Sequence, residues 1–159
     1  MTYKKSKETL LKEGVIKKCP IDFRATINLI KRAYTDLRTA KRNLADDEEC
    51  AYNYAYNAML RSGMALMASE GFRPEIKDKH LTIVKFVSSI LGEEFKNLIN
   101  NYDFMRRKRH RFIYEPGIPC SKKEAKDALQ TAEEFLDAIH TLIKKKNPQL
   151  EFDFLNSSF

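Results

Sequence analysis

The chain of 159 residues has no tryptophan, only five glycines and five prolines, and no low-complexity tract. This composition excludes a collagen-like chain, and a hydrophobic content of 43% excludes a disordered tail. No apolar run approaches the roughly 20 residues that a transmembrane helix needs. The first residues also lack the hydrophobic core of a signal peptide, so we expect a cytoplasmic protein that makes no membrane contact.

Residues that commonly hold metals or form disulfides are few and scattered. Three cysteines lie far apart and show no paired spacing: Cys19, Cys50 and Cys120. This pattern argues against a disulfide framework or a zinc ribbon. The three histidines form no cluster with carboxylates at ligand spacing. We therefore expect neither a metal site nor a cofactor.

The chain is long enough for one domain and carries an excess of positive charge. A single domain of this length buries roughly 70% of the surface that its unfolded chain exposes. Lysine and arginine number 29 against 22 acidic residues, which gives a formal net charge of +7. Such a charge steers a polyanionic partner towards the protein.

Apolar residues recur at spacings of three and four through most of the chain, as is typical of amphipathic helices. Glycine, proline and capping residues divide the pattern into six predicted helices. These are expected at about residues 5–13, 22–44, 46–71, 78–92, 93–116 and 121–146. The third is apolar on more than one face, so we expect it to lie at the centre.

The ends of the helices carry recognisable signals. Ser121 and Glu124 have the spacing of a capping box, and Asp78 is expected to cap the fourth helix. Apolar and polar residues alternate with a period of two only at residues 150–154, and we interpret this segment as a docking arm, not a strand. Exposed apolar residues in this tail predict contact with a partner protein or a dimer mate. They are Phe152, Phe154, Leu155 and Phe159.

These features predict an all-α fold. Short connections between long amphipathic helices favour an antiparallel bundle of four to five core helices plus a short N-terminal helix. Three regions are expected: an N-terminal helix and linker at 1–21, the bundle at 22–147 and a C-terminal tail at 148–159.

The densest chemical signal is residues 105–115, which read Met-Arg-Arg-Lys-Arg-His-Arg-Phe-Ile-Tyr-Glu. Exposed like charges three or four apart on a helix oppose each other by roughly a few tenths of a kcal/mol per pair. A polyanion would relieve that repulsion. The alternative is a solvated basic face near a helix end, where cations suit the helix dipole and Pro116-Gly117 ends the helix. On composition alone the two interpretations stand about equal.

Four blocks of sequence carry a family resemblance. They are 51–60 (AYNYAYNAML), 71–74 (GFRP), His80 and 109–114 (RHRFIY). In order and spacing they resemble the HEPN family of small helical nucleic-acid-associated proteins, over about residues 22–145. The resemblance implies a helical bundle that pairs as a homodimer. It also implies, as for many members, a metal-independent ribonuclease or toxin partnered by a small nucleotidyltransferase.

The family's motif is an arginine, usually followed by a polar residue, with a histidine about four to six residues further on. Placed on Arg109, the motif has His110 at the polar position and Tyr114 where the histidine should stand. Placed on Arg106 or Arg107, it uses His110 as the histidine, at a shorter spacing. We prefer the Arg109 register. A subset of the family similarly ends its motif in tyrosine.

Metal-free RNA cleavage needs a base for the ribose 2′-hydroxyl, an acid for the leaving 5′-oxygen and a cation at the phosphorane. The resemblance assigns phosphate binding to Arg109 and Arg106, and proton transfer to His110 or Tyr114. Tyr114 is also expected to be the point at which a nucleotidyltransferase adds a nucleotide. The predicted nucleic-acid-binding residues are Arg106, Arg107, Lys108, Arg109 and Arg111.

Two functions remain open from the sequence. One is an RNA-interacting endoribonuclease toxin of a toxin–antitoxin or defence module. The other is a non-catalytic dimer that acts as an RNA- or protein-binding scaffold. Several residues also have ordinary interpretations: Tyr114 as a packing residue at the edge of the core, His80 as an N-terminal residue of the fourth helix, and Arg61 and Arg73 as members of ion pairs.

Overall fold

The computed structural model describes residues 5–156, with side chains as far as Phe154. Within these residues the chain forms six α-helices, two short strands and two 3₁₀ turns. The helices are α1 (Lys7–Lys12), α2 (Phe23–Asn43), α3 (Glu48–Glu70), α4 (Lys79–Ile90), α5 (Lys96–Tyr114) and α6 (Lys122–Lys146). The 3₁₀ turns are Glu93–Phe95 and Asp153–Asn156. The predicted all-α bundle is confirmed.

Helix α3 is the centre of the bundle, as its apolar faces predict. It packs against α2, α4, α5 and α6. Gly63 lets α4 approach closely, since a Cβ atom there would collide with the Ile83 side chain. Among the described helices, none combines the length and the apolar character required to span a bilayer.

Capping explains where most helices begin. The side chains of Asp22, Asp47 and Ser121 each accept a hydrogen bond from a backbone N–H in the first turn. The Ser121 half of the predicted capping box is therefore present. Asp78 precedes α4, but its side chain makes no capping hydrogen bond. The prediction for Asp78 is wrong because its backbone is left-handed (φ 53°), not extended as in a usual N-cap.

A small antiparallel sheet was not predicted from the sequence. Strand β1 (Ile16–Lys18) pairs with β2 (Phe72–Pro74), with Ile16 opposite Pro74. Each strand has only three residues, which is too short for a period of two to show. The sheet ties the N-terminal segment to the connection between α3 and α4 and buries Ile16 in the core.

The C-terminal tail packs on its own chain. The Phe152 ring lies edge-on to His140, with 4.5 Å between ring centroids, and the Phe154 ring lies 6.1 Å from that of Tyr34. Lys144 Nζ donates to the backbone oxygens of Pro148 and Leu150. The rings of Phe152 and Phe154 thus contact α2 and α6 of the same chain, whereas the sequence predicted that they contact a partner protein or a dimer mate. The side chain of Leu155, and Phe159, lie outside the described residues.

Candidate nucleic-acid interface

The basic cluster, residues 106–111, occupies the last turns of α5. Met105 and Phe112 on either side of it are buried in the core, which fixes the rotation of the helix. Arg107 and Arg111 then face solvent, while Arg106, Lys108 and Arg109 are partly buried. The cluster is therefore spread around the helix, not confined to one solvated face.

A buried carboxylate anchors this cluster. Asp103 is only 2% exposed, and one of its oxygens accepts a hydrogen bond from Nε of Arg106 at 2.9 Å and lies 2.9 Å from Nη2 of the same side chain. Its other oxygen lies 3.3 Å from Nε of Arg107. One buried charge thus holds two guanidinium groups in place. No pattern in the sequence distinguishes Asp103, because a carboxylate one turn before a basic run is common on helix surfaces.

The other basic side chains differ in their partners. Lys108 Nζ lies 3.2 Å from a carboxylate oxygen of Glu124, and Arg111 Nε donates to Glu115 at 2.8 Å. For Arg109, the described residues offer no carboxylate at ion-pair distance. Its guanidinium carbon instead lies 5.3 Å from the centroid of the Tyr56 ring. Arg109 therefore keeps its N–H donors for a ligand such as phosphate.

His80 and Tyr56 complete the environment of Arg109. The Tyr56 hydroxyl and His80 Nδ1 are hydrogen-bonded at 2.7 Å. Burial lowers the pKa of His80 below its usual value, and the charges of Arg109 and Arg106 lower it further. Burial raises the pKa of Tyr56, although the same two arginines oppose that shift. At neutral pH the site therefore combines a neutral imidazole and a protonated phenol with two guanidinium groups.

The structure separates the predicted catalytic residues into two groups. Arg109 lies over the ring of Tyr56, which is hydrogen-bonded to His80, and Arg106 lies one turn earlier on α5. His110 and Tyr114 are exposed and contact each other, with ring centroids 4.5 Å apart. Tyr114 is 69% exposed at the end of α5. It is thus no core residue, and its hydroxyl is accessible.

Sequence reasoning missed the part that His80 and Tyr56 play. Both belong to the blocks that carry the HEPN resemblance, and this resemblance was the one sequence signal that pointed to them. They are 24 residues apart and lie on α3 and α4. Their contact with α5 depends on how three helices pack.

Among the described residues, no group of three or more histidine, cysteine, aspartate or glutamate side chains could hold a metal ion.

Comparison with known proteins agrees with this arrangement. A family model of the HEPN domain matches residues 27–144, which is more than half of the chain. This chain belongs to the HEPN domain family. The matched region runs through α3 and α4 and contains the whole basic cluster of this HEPN protein. Members of the family are often RNA-related and dimeric. No curated protein and no solved structure gives a significant match.

The environment of His80 can be tested by NMR titration of the three histidines. We expect a pKa for His80 below the usual value of about 6.5. Arg109→Ala should raise it, because one of the cations is removed, yet leave it below that value, because burial is the larger cause. Arg111→Ala is the matched control, since Arg111 pairs with Glu115. A His80 that titrates at or above 6.5 in the wild-type protein would contradict the geometry.

Proposed function

We propose that this HEPN protein is a cytoplasmic, metal-independent endoribonuclease that acts as the toxin of a toxin–antitoxin or defence module. The observation that carries the proposal is the position of Arg109 over the ring of Tyr56, whose hydroxyl is hydrogen-bonded to His80, at the basic end of α5. A proton acceptor next to phosphate-binding cations is the minimum that metal-free RNA cleavage requires.

In the proposed reaction, Arg109 binds the scissile phosphate, and Arg106, held by Asp103, adds a second positive charge. His80 acts as the base in the tautomer whose Nδ1–H donates to the Tyr56 oxygen, since Nε2 is then free to accept a proton. The ribose 2′-hydroxyl gives its proton to Nε2, and the 2′-oxygen attacks the phosphorus. A cyclic phosphate forms as the bond to the 5′-oxygen breaks.

The leaving 5′-oxygen needs a proton of its own. We assign this role to His110 or Tyr114, the two residues that the family motif predicts. Both are exposed and lie on the same helix as Arg109, so a bound strand could reach them.

The second candidate function is a non-catalytic dimer that binds RNA or protein as a scaffold. Two observations favour it. Four of the basic side chains, Arg106, Arg107, Lys108 and Arg111, already have a carboxylate partner within the chain. In addition, Tyr114 stands where the preferred register expects a histidine. A protein with these features could hold an RNA strand without cutting it.

Labelled RNA incubated with the purified protein and a chelator separates the two functions. The endoribonuclease should give products that end in a cyclic phosphate. His80→Gln should lower the cleavage rate by about 100-fold or more, because a general base typically contributes at least that much. His140→Gln is the matched control, since His140 is also half-buried and hydrogen-bonded to a tyrosine, Tyr34, at 2.9 Å. Its rate should be unchanged.

RNA binding measured in the same samples tests whether a protein that does not cleave RNA still binds it as a scaffold. The affinity should fall steeply with salt, and each arginine contact removed should reduce the log–log slope by roughly 0.7 for a single strand. Replacing Arg106, Arg107 and Arg109 together with alanine should abolish binding while the protein stays helical. Salt-dependent binding without cleavage above an Arg109→Ala background would support the scaffold. Salt-independent binding would argue against both RNA functions.

We also propose that the protein is a homodimer. Apolar surface remains exposed beside the basic cluster, since the side chain of Ile113 on α5 is 55% exposed. A two-fold interface that covers Ile113 would bring two basic clusters together. Light scattering at micromolar concentration should give twice the mass of one chain. Detection of only an 18.6 kDa species would exclude the dimer.

Tyr114 is the proposed target of a partner nucleotidyltransferase. Its exposed oxygen would attack the α-phosphorus of ATP, with loss of pyrophosphate and of the phenol proton, and the new phosphodiester would place a negative charge beside the basic cluster. Tyr114→Phe should leave RNA affinity nearly unchanged yet make the protein insensitive to the transferase and ATP. His110→Ala should still respond. Mass spectrometry should locate the adduct on Tyr114; an adduct on another tyrosine would overturn the assignment.

A further inference from the structure

The solvent face of α2 carries a second basic surface, made from a different helix than the cluster on α5. The helix has six cationic residues and one acidic residue, and that acid, Asp36, is only 1% exposed and pairs with Arg61 of α3. Four of the cations follow each other at spacings of seven, seven and four residues, so they lie along one line of the helix. We call this line the α2 basic row; its members are Arg24, Lys31, Arg38 and Arg42.

Three members of the row are exposed and lack a counter-charge. Among the described residues, no carboxylate lies at ion-pair distance from Arg24, Lys31 or Arg42. The exposed ion pair that α2 does form uses Lys41, outside the row, and Glu133 of α6. In the α5 cluster, by contrast, four basic side chains have a carboxylate partner. The α2 basic row therefore presents charge that the protein itself does not neutralise.

The stability of α2 does not explain the whole row. Arg24 lies in the first turn, where the helix dipole disfavours a positive charge, and no acidic residue shares that turn. Arg42 lies in the last turn, where a cation suits the dipole. The dipole thus explains one end of the row and not the other. A bound polyanion would explain both ends.

The surface beside the row is polar. Asn28 and Thr35 lie four residues after Arg24 and Lys31, respectively, and so stand next to the cations. Within the described chain, α2 exposes no large apolar or aromatic side chain. Single-strand sites stack bases on exposed rings, and protein interfaces have an apolar centre. The composition of this face therefore favours neither a single strand nor a protein partner.

We propose that the α2 basic row binds the phosphate backbone of a double-stranded stem in the target RNA; this inference rests on the RNA function proposed above. In an RNA duplex the bases are stacked inside, and proteins contact mainly phosphates and 2′-hydroxyls. Guanidinium and ammonium groups suit the phosphates. The amide of Asn28 can donate to a 2′-hydroxyl, and the Thr35 oxygen can accept from one, since its own proton goes to the Lys31 carbonyl.

The length and position of the row suit a stem that leads to the proposed cleavage site. At about 1.5 Å per residue, Arg24 and Arg42 lie about 27 Å apart along the axis, which is room for several phosphates. Only residues 44–47 join α2 to α3, so Arg42 lies at the end of the bundle where α3 begins. Tyr52, in that part of α3, meets Phe112 of α5, with 5.3 Å between ring centroids. The row thus ends at the same end of the bundle as the α5 cluster.

Fluorescence anisotropy with a blunt RNA duplex of about 16 base pairs tests the inference. Replacing Arg24, Lys31 and Arg42 together with glutamine should weaken duplex binding by at least about 10-fold at low salt. The log–log salt slope should also fall by roughly 0.9 for each phosphate contact that is lost. Circular dichroism should show that the triple variant stays helical. Failure of the wild-type protein to bind the duplex would overturn the inference.

A matched variant controls for the change in net charge. Lys122, Lys126 and Lys145 are exposed on α6, and none of them has a carboxylate at ion-pair distance within the described range. Replacing these three with glutamine removes the same charge as the α2 variant and should leave duplex affinity at the wild-type level. An equal loss of affinity in both triple variants would show an effect of net charge alone, and the inference would be wrong.

A single-stranded all-uridine RNA in the same assay separates this inference from the proposed function. The α2 triple variant should bind and cleave the single strand like the wild type, whereas the triple alanine variant of Arg106, Arg107 and Arg109 should lose single-strand binding and keep duplex binding. Duplex binding through the row, in a protein that neither binds nor cleaves the single strand, would support the row and overturn the proposed function. Single-strand binding without duplex binding would overturn the row alone.

Two other polyanions test the assignment to RNA. Poly-glutamate should bind the wild-type protein more weakly than the RNA duplex does. If it binds as tightly, and the α2 triple variant loses that binding, the row is a site for an acidic protein and the inference is wrong. A DNA duplex of the same sequence lacks the 2′-hydroxyls and should also bind more weakly. Equal or tighter binding of the DNA duplex would overturn the assignment to RNA.

Discussion

The buried carboxylate of Asp103 is the interaction on which the basic end of α5 depends. A helix that carries five cations in six positions repels itself, and packing it against a core removes part of the water that would screen the charges. Asp103 offsets this by holding Arg106 and Arg107 from inside the bundle. The orientation of α5 then leaves Arg109 over the Tyr56 ring. Asp103 thus holds the two guanidinium groups in place, while the burial of Met105 and Phe112 sets the rotation of the helix.

Burial and the neighbouring charges both lower the pKa of His80, whereas the charges around His140 shift its pKa in opposite directions. Both imidazoles are half-buried, and each is hydrogen-bonded through Nδ1 to a tyrosine hydroxyl. Around His80, burial lowers the pKa and the two arginines add to the effect. Around His140, burial again lowers the pKa, but Asp137 opposes it. Two similar histidine–tyrosine pairs therefore have different electrostatic surroundings, because arginines act on His80 and a carboxylate acts on His140.

Helix α5 separates two kinds of chemistry. On one flank, its arginines meet the neutral His80 and the protonated Tyr56, an arrangement suited to phosphate and proton transfer. On the other flank, the exposed Phe104 and the carboxylates of Glu124, Asp127 and Glu134 line a cleft of about 430 Å³.

The sequence alone determined the helices, the central place of α3, the basic cluster and the HEPN family. These depend on periodicity, capping and local order, which act over a few residues along the chain. Only the tertiary structure decided which side chains meet. The pairing of Tyr56 with His80, the burial of Asp103, the short sheet and the packing of Phe152 on His140 join segments that no local pattern relates. Such contacts arise because the buried faces of several helices must fit together at once, and that fit is a property of the folded chain.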